Sequence, residues 1–307
     1  MIMTALFSLG CRCTAGPNHA EPSLQRTRPP FLRFGIAING KACASIGYVL
    51  GDVTLSSYKL GLSVSHPIMA DDNKIFETCV VAFVDILGFK AHVKSMSVNN
   101  DFALKFLSIL NQLKNIGSIP SDIFEGMEIT VFSDSIVISK PKAFAWAEYD
   151  MALAANFLSG QLLLQGVLCR VGIARGELYH KSGIVLGNAL IRAYEIESTI
   201  AVYPRIVFDN PVSAYVTAIP GAVRNYVIMR DVDGFWYANL FAQMRKLNSD
   251  NDVIGANQKR TQLFFDAICE YSDHYSDNLS IQGKWSWVNQ KFEEMCDYLD
   301  TNIKYFT

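Results

Sequence analysis

The apolar run Val80-Val81-Ala82-Phe83-Val84 constrains the fold most, because Asp85-Ile86-Leu87-Gly88-Phe89 follows it at once. An unbroken, valine-rich run of this length reads as a strand buried on both faces. It ends in a carboxylate and a glycine-containing turn. Taken alone, Asp85 reads best as a cap for the helix that begins after Gly88. Two other segments alter that balance. Phe132-Ser133-Asp134-Ser135 lies between two short apolar runs, and Arg170-Val171-Gly172-Ile173 opens another.

The coarse element order follows from periodicity and breakers. Asp101 to Asn115 carries Phe102, Leu104, Phe106, Leu107, Leu110 and Leu113 at helical spacing, with Asp101 as N-cap candidate. Met127–Phe132 and Ile136–Ser139 form a hairpin around Ser133-Asp134, and Pro141 ends it. Residues 143–164 read as a long helix and Val167–Ala174 as a buried strand. Gly176–Tyr179 and Gly183–Leu186 bracket a turn at His180-Lys181-Ser182. Asn188 to Ala201 reads as a helix with Asn188 as its cap, and Arg205–Phe208 as a strand. Tyr226–Leu240 reads as two strands around Asp231-Val232-Asp233-Gly234. Residues 257–275 and 284–303 read as amphipathic helices. Hairpins mixed with crossover helices predict an α+β sandwich, a mixed and mainly antiparallel sheet with helices on one face. The two last helices either dimerise or cover an exposed sheet edge, and covering is the commoner use.

With 307 residues, half of them apolar, the chain is long enough for one large domain with appendages and a sizeable core. A net charge of −2 gives no electrostatic reason to expect a nucleic-acid partner. No apolar run is long enough to span a membrane. The seven cysteines are odd in number and scattered, with Cys79 and Cys169 inside apolar strands, which points to a reducing, cytoplasmic setting. The five histidines lack zinc-like spacing. Residues 1–68 show no clear periodicity and are expected to be poorly ordered or an upstream extension of the reading frame, with Met69 as a natural start. Loss of fold or activity in a protein beginning at Met69 would refute that. A domain over 75–245 and a helical extension over 246–307 complete the expected organisation.

In the β-α-α-β-β order, the first strand and the following hairpin become neighbours in one sheet. Asp85 and Asp134 then lie close together. Asp134 alone is a plain turn residue. Two neighbouring carboxylates raise each other's pKa unless a cation separates them. A hard divalent ion, Mn²⁺ or Mg²⁺, meets that need, and the Ile86 carbonyl is a further oxygen candidate. Two ions held by shared carboxylates suit phosphoryl chemistry. The turn Ile86, Leu87, Gly88, Phe89 would offer backbone N–H groups to an anion. Arg170 suits a pyrophosphate clamp, and reads equally well as a solvated strand-end residue.

Together these segments resemble the class III nucleotide cyclases. Phe83, Asp85, Ile86, Gly88 and Phe89 match the family's Phe-x-Asp-Ile-x-Gly-Phe. Ser133-Asp134 matches its hairpin Gly-Asp in part. Arg170, Val171, Gly172, Ile173 and Gly176 match Arg-Val-Gly-Ile-x-x-Gly. The resemblance covers residues 78–240 and implies the ferredoxin-like cyclase sandwich. It further implies two metal ions on Asp85, Asp134 and the Ile86 carbonyl, and a triphosphate cradled by Ile86 to Phe89. Arg170 would contact the β- and γ-phosphates. The ribose 3′-oxygen would attack the α-phosphate and release pyrophosphate.

Two departures narrow the resemblance. The family's base-selecting position, Lys in adenylate and Glu in guanylate cyclases, is Thr130 here, which argues against the two ordinary products. The family's Asn-x-x-x-Arg, which binds ribose and stabilises the transition state, falls on Ile191 and Glu195 in one register. In another it falls on Asn188 and Arg192, for which capping and solvation are the plain alternatives. Phe132–Ser139, Gly176–His180, Ala193–Glu197 and Tyr203–Val207 are similar to the pyrimidine cyclases of the bacterial Pycsar antiphage defence system. That likeness implies a homodimer with sites at the subunit interface, usually Mn²⁺, and cyclic UMP or cyclic CMP as product. The product would act on a separate effector. UTP is favoured over CTP as substrate. The competing reading is a catalytically inactive cyclase-like module that senses nucleotide. A diguanylate cyclase stands behind both, since the Gly-Gly-Asp/Glu-Glu-Phe hairpin is absent.

Overall fold

A computed structural model describes residues 75–114, 123–219, 221–223, 226–247, 253–274 and 279–299. The segment expected to be an N-terminal extension, 1–68, lies outside them.

The valine-rich run is the strand β1 (Glu77–Ile86), and Val80, Val81, Ala82 and Val84 are fully buried. Its burial does not alternate because both faces are covered. Val80, Ala82, Val84 and Ile86 pack with the helix α3 (Ala147–Leu163), while Cys79, Val81 and Phe83 pack with α4 (Asn188–Thr199). Helix α3 is buried on nearly every side, as expected of a helix apolar all round. Two helices, α1 (Phe89–Met96) and α2 (Asn100–Lys114), lead to the hairpin β2 (Glu128–Phe132) and β3 (Ser135–Pro141). Strand β4 (Cys169–Lys181) continues into β5 (Ile184–Leu186), then α4 and β6 (Ile206–Phe208) follow. After α5 (Asn210–Ala218) come β7 (Ile228–Arg230) and β8 (Trp236–Ala238).

The main sheet has the order β2-β3-β1-β4-β6-β8-β7, with β5 on β4. Its pairings are antiparallel except β4 with β6. This is the expected α+β architecture with a mainly antiparallel sheet, but the helices cover both faces rather than one, α3 lying on one side of β1 and α4 on the other. The register sets the site. Asp85 lies opposite Ser135 on β3 and opposite Arg170 on β4, so these side chains share one face. Gly172 is what allows α4 to cross that face. A Cβ there would come within 2.1 Å of the Ala193 carbonyl oxygen and 2.7 Å of the Glu197 nitrogen.

A 3₁₀ helix (Leu240–Met244), a hairpin β9 (Arg245–Leu247) with β10 (Val253–Ala256), and helices α6 (Gln258–His274) and α7 (Leu279–Tyr298) complete the described chain. The two helices close over the end of α3 through a second core that includes Leu163, Leu168, Phe241, Phe264, Trp285 and Phe292. Lys291 of α7 reaches Asp231 at 2.9 Å, Asp231 holds Arg205 at 2.7 Å, and Trp287 stacks on Tyr203. Covering is therefore a use these helices have within one chain.

Several expectations are corrected. Asn99, not Asp101, caps α2, its Oδ1 accepting from the Phe102 N–H at 3.0 Å. Asn188 is not a cap either, because Gly187 holds that place with φ 146° and no side-chain bond. Strand β4 runs through His180 to Lys181, and the turn is Ser182-Gly183, both at positive φ. Helix α5 was not expected between Phe208 and Pro220. Asp209 caps it, accepting from the Val212 N–H at 2.8 Å, and Pro211 sits in its first turn, where a missing N–H costs nothing.

Candidate functional site

Three strand ends and one helix converge on Asp85. Strand β1 delivers it, and the backbone N–H of Ile86 donates to the Asp134 carbonyl at 2.9 Å, tying the strand end to the hairpin turn. The turn residue Ser133 adopts φ 56°, a conformation that costs a side-chain-bearing residue about 1 kcal/mol and glycine nothing. Asp134 itself is exposed. Backbone pairing thus brings the Asp134 turn beside the end of β1, where Asp85 sits between β3 and β4 inside the sheet.

The Ile86–Phe89 turn is anchored by the Leu87 N–H, which donates to the Leu168 carbonyl at 2.8 Å. Gly88, with φ 72°, is the N-cap of α1, and no side chain caps that helix. The N–H groups of Ile86, Leu87 and Ala91 already bond the Asp134, Leu168 and Gly88 carbonyls, contrary to the expectation that Ile86 and Leu87 face an anion, so among the described residues it is the Phe89 and Lys90 N–H groups that are left to a ligand or water. His92 lies beneath, its Nε2 3.1 Å from the Leu87 carbonyl oxygen, and burial keeps its pKa below the usual histidine value. The imidazole is neutral near pH 7, so it donates from Nε2 and steadies the turn.

Arg170 does not stand free. Its Nη2 donates to Asp85 Oδ2 at 2.9 Å and lies 2.6 Å from Glu197 Oε1. Glu197 is the member of this charged cluster that sequence reasoning missed. Helix α4 turns Ala189, Ala193 and Ile196 toward the sheet, and Glu197 is buried with them, one turn after Ala193. A carboxylate continuing an apolar helical stripe was the available signal. Burial pushes the Glu197 carboxyl up to about 7, with Arg170 pulling the other way and Asp85 adding to the rise. Glu197 Oε1 and Arg170 Nε are buried without a hydrogen-bond partner among the described residues.

Thr130 of β2 shares a face with Val137 and Ser139 of β3 and with the Asp85 side of β1. Its Oγ1 lies 2.8 Å from His180 Nε2, and His180 Nδ1 lies 2.8 Å from Ser139 Oγ. His180 reaches there because β4 keeps its period of two, with Arg170, Gly172, Ala174, Gly176, Leu178 and His180 on one side of the strand.

On α4, Asn188, Ile191, Arg192 and Glu195 form one exposed stripe, turned away from the face that packs on β4. Both registers of the Asn-x-x-x-Arg motif fall on it. Arg192 lies 3.3 Å from Glu195, and neither candidate joins Asp85 within this chain. Exposed apolar side chains flank the stripe, Leu186, Ile191 and Tyr194 among them, and Phe132 is exposed at the hairpin tip.

Among the described residues no cluster of three or more His, Cys, Asp or Glu side chains forms a ready metal cage, and no helix is long and apolar enough to cross a membrane. No family model and no curated protein matches the chain. Solved structures similar to it are class III cyclases. One is a bacterial light-regulated adenylyl cyclase, at 15% identity over 62% of this chain and 58% of that one, with TM-score 0.39. Another is the adenylyl cyclase CyaB from P. aeruginosa, at 18% identity over 53% and 93%, with TM-score 0.36. A third is the guanylyl cyclase Cya2, at 16% identity over 53% and 92%, with TM-score 0.33. The match spans only 58% of the light-regulated enzyme. Likeness this distant says nothing of activity or substrate, which have to be argued from the residues.

Proposed function

We propose that the chain is a pyrimidine nucleotide cyclase that converts UTP to 3′,5′-cyclic UMP and pyrophosphate, with CTP to cyclic CMP as the alternative. The observation that carries this is the convergence of Asp85, the Asp134 turn and the uncapped Gly88 turn at one end of β1. Carboxylates beside an anion-accepting helix start are what a nucleotide with divalent cations requires.

The donor set fits Mn²⁺ or Mg²⁺. Asp85 and Glu197 together outnumber the single guanidinium between them, and Asp134 adds a further carboxylate at the adjoining turn. Asp85, Asp134 and the Ile86 carbonyl would hold two ions, which supply charge stabilisation at the reacting phosphate.

The chain's own residues then have separable tasks. The Gly88 turn positions the triphosphate. Arg170 orients Asp85, and its contact with the β- and γ-phosphates belongs to the proposal. The 3′-oxygen–phosphorus bond forms as the bond from the α-phosphorus to the α–β bridging oxygen breaks, pyrophosphate leaves, and the 3′-hydroxyl proton passes to solvent water. The exposed α4 stripe would complete the site of a second copy, with Asn188 and Arg192 contacting ribose and the reacting phosphate. A homodimer with interfacial sites follows, buried through Phe132, Leu186, Ile191 and Tyr194. The likeness to Pycsar cyclases extends the proposal to antiphage signalling through a separate effector.

The test is pyrophosphate release from UTP with Mn²⁺. Asp85→Ala and Asp134→Ala should each abolish it while leaving the melting temperature near wild type, and chelation of the metal should do the same reversibly. Turnover retained in both variants would sink the assignment.

A further inference from the structure

A cleft of about 800 Å³ opens between α1 and α2 on one wall and α6 on the other, and none of the roles above uses its interior. That is the size of a site for a small organic ligand. We infer that the cleft binds a linear aliphatic polyamine, whose ammonium groups meet the carboxylates of Asp101, Glu270 and Asp273 and donate a hydrogen bond to Nδ1 of His92. The inference does not rest on the nucleotide reading, since none of these residues belongs to that site.

His92 carries the argument. It is 7% exposed and lines the cleft. A carbonyl oxygen only accepts, so in the contact with Leu87 it is Nε2 that bears the proton. Burial keeps the ring neutral near pH 7, and Nδ1 is left with a lone pair. Among the described residues nothing donates to it. Nor is Nδ1 one of the partnerless polar atoms sealed away from solvent, so its open side faces the cleft. A nearly buried acceptor with one open side calls for a donor from outside.

Charge says which kind of donor. Asp101 stands on α2 and Glu270 and Asp273 on α6, so carboxylates line both walls. Among the described residues none of these three side chains has an ion pair or a hydrogen bond, and Lys105 is the lysine that lines the cleft with them. Three carboxylates against one lysine leave an excess of negative charge, which draws a cation. Two rings supply apolar walls that are already in place. Phe102 lies 5.8 Å from the His92 ring, and Tyr271 stacks on Trp285 and covers Gly166 more closely than a side chain there would permit. Methylene segments pack on such faces, and an ammonium group is attracted to them. A linear polyamine brings N–H donors, separated positive charges and methylenes together. A metal ion could take the lone pair and the charge but would leave the rings unused.

The test titrates spermidine into the full chain by calorimetry, at near-physiological salt and without nucleotide. Binding should saturate with a sub-millimolar Kd. The ¹⁵N resonance of His92 Nδ1, identified by its loss in His92→Asn, should move upfield as it accepts a hydrogen bond. Glu270→Gln and Asp273→Asn change exposed positions of α6 and should leave the melting temperature unchanged. Each should weaken binding roughly fivefold, the upper range for a solvent-screened ion pair. If His92→Asn fails to fold, these two variants decide. No saturable binding, an unchanged Kd in both folded variants, or a His92 resonance that stays in place overturns the inference. Mg²⁺ binding as tightly, with the same resonance shifted, also overturns it, because the site would then be one for a metal ion. A chain that binds spermidine here and makes no cyclic nucleotide keeps this site and loses the proposed activity. One that cyclises UTP and fails to bind spermidine does the reverse.

Discussion

Gly172→Ala tests whether the site is assembled as described, because α4 rests directly on that residue. The new Cβ would lie 2.1 Å from the Ala193 carbonyl oxygen and 2.7 Å from the Glu197 nitrogen. Carbon contacts settle near 3.5 Å, so the helix must retreat by roughly 1 Å. The obstacle is helix backbone, not the end of a flexible side chain, and it is pinned by Ala189, Ala193 and Ile196, all buried. Overpacking a well-filled core costs about 1–3 kcal/mol, and a backbone obstacle places this variant at the upper end, about 3 kcal/mol. For a folded unit of this size that is a fall of roughly 6–12 °C in Tm. Urea titration and calorimetry measure it. Gly283→Ala is the control. It sits on the exposed side of α7 with nothing within 4 Å of its added Cβ, and should gain up to about 1 kcal/mol. A Gly172→Ala protein within about 0.5 kcal/mol of wild type would refute the packing of α4 on β4, and with it the placing of Glu197 beside Arg170.

Three further outcomes are expected. In metal-free protein the Glu197 carboxyl rises from 4.5 to about 7 on folding, so the folded state binds its proton more tightly than the unfolded state. Stability is therefore greater below pH 4.5 and falls as pH climbs from 4.5 toward 7. Urea midpoints across that window should show the fall in wild type and a flatter profile in Glu197→Gln. Lys291→Ala removes a buried partner of Asp231 and should cost about 3 kcal/mol, a lower figure than for a lone pair because Arg205 still holds Asp231. Unchanged stability by calorimetry would show that α7 is not anchored there. Cys269, the exposed cysteine among those described, should react with a thiol reagent well before the buried Cys79, Cys169 and Cys296 in native protein.

Much of the fold was legible because its strongest signals are local. Val80–Val84 is apolar at every position, so its two covered faces could be read without knowing what covers them. The hairpin around Asp134 and the strand beginning at Arg170 carried equally local signatures. What escaped depends on position in space. Glu197 looks like one more acid at the end of a helix until Gly172 brings α4 down onto β4 and sets that acid beside Arg170. Arg170 itself reads as a free cation until register places it opposite Asp85. His180 reads as a turn residue in the sequence because the polar Lys181-Ser182 and then Gly183 follow it. The strand in fact runs through it and carries it to Thr130. The role of α4's outer stripe was undecidable from sequence for a geometric reason. Asn188, Ile191, Arg192 and Glu195 lie on the same exposed side, so either register presents its residues in the same direction.

The central claim is tested most directly by incubating the purified chain with Mn²⁺ and each of the four ribonucleoside triphosphates separately, and identifying the products by mass spectrometry. The account predicts 3′,5′-cyclic UMP and pyrophosphate from UTP, with far less product from CTP. Cyclic AMP or cyclic GMP as the main product, or no cyclic nucleotide from any of the four, would contradict it.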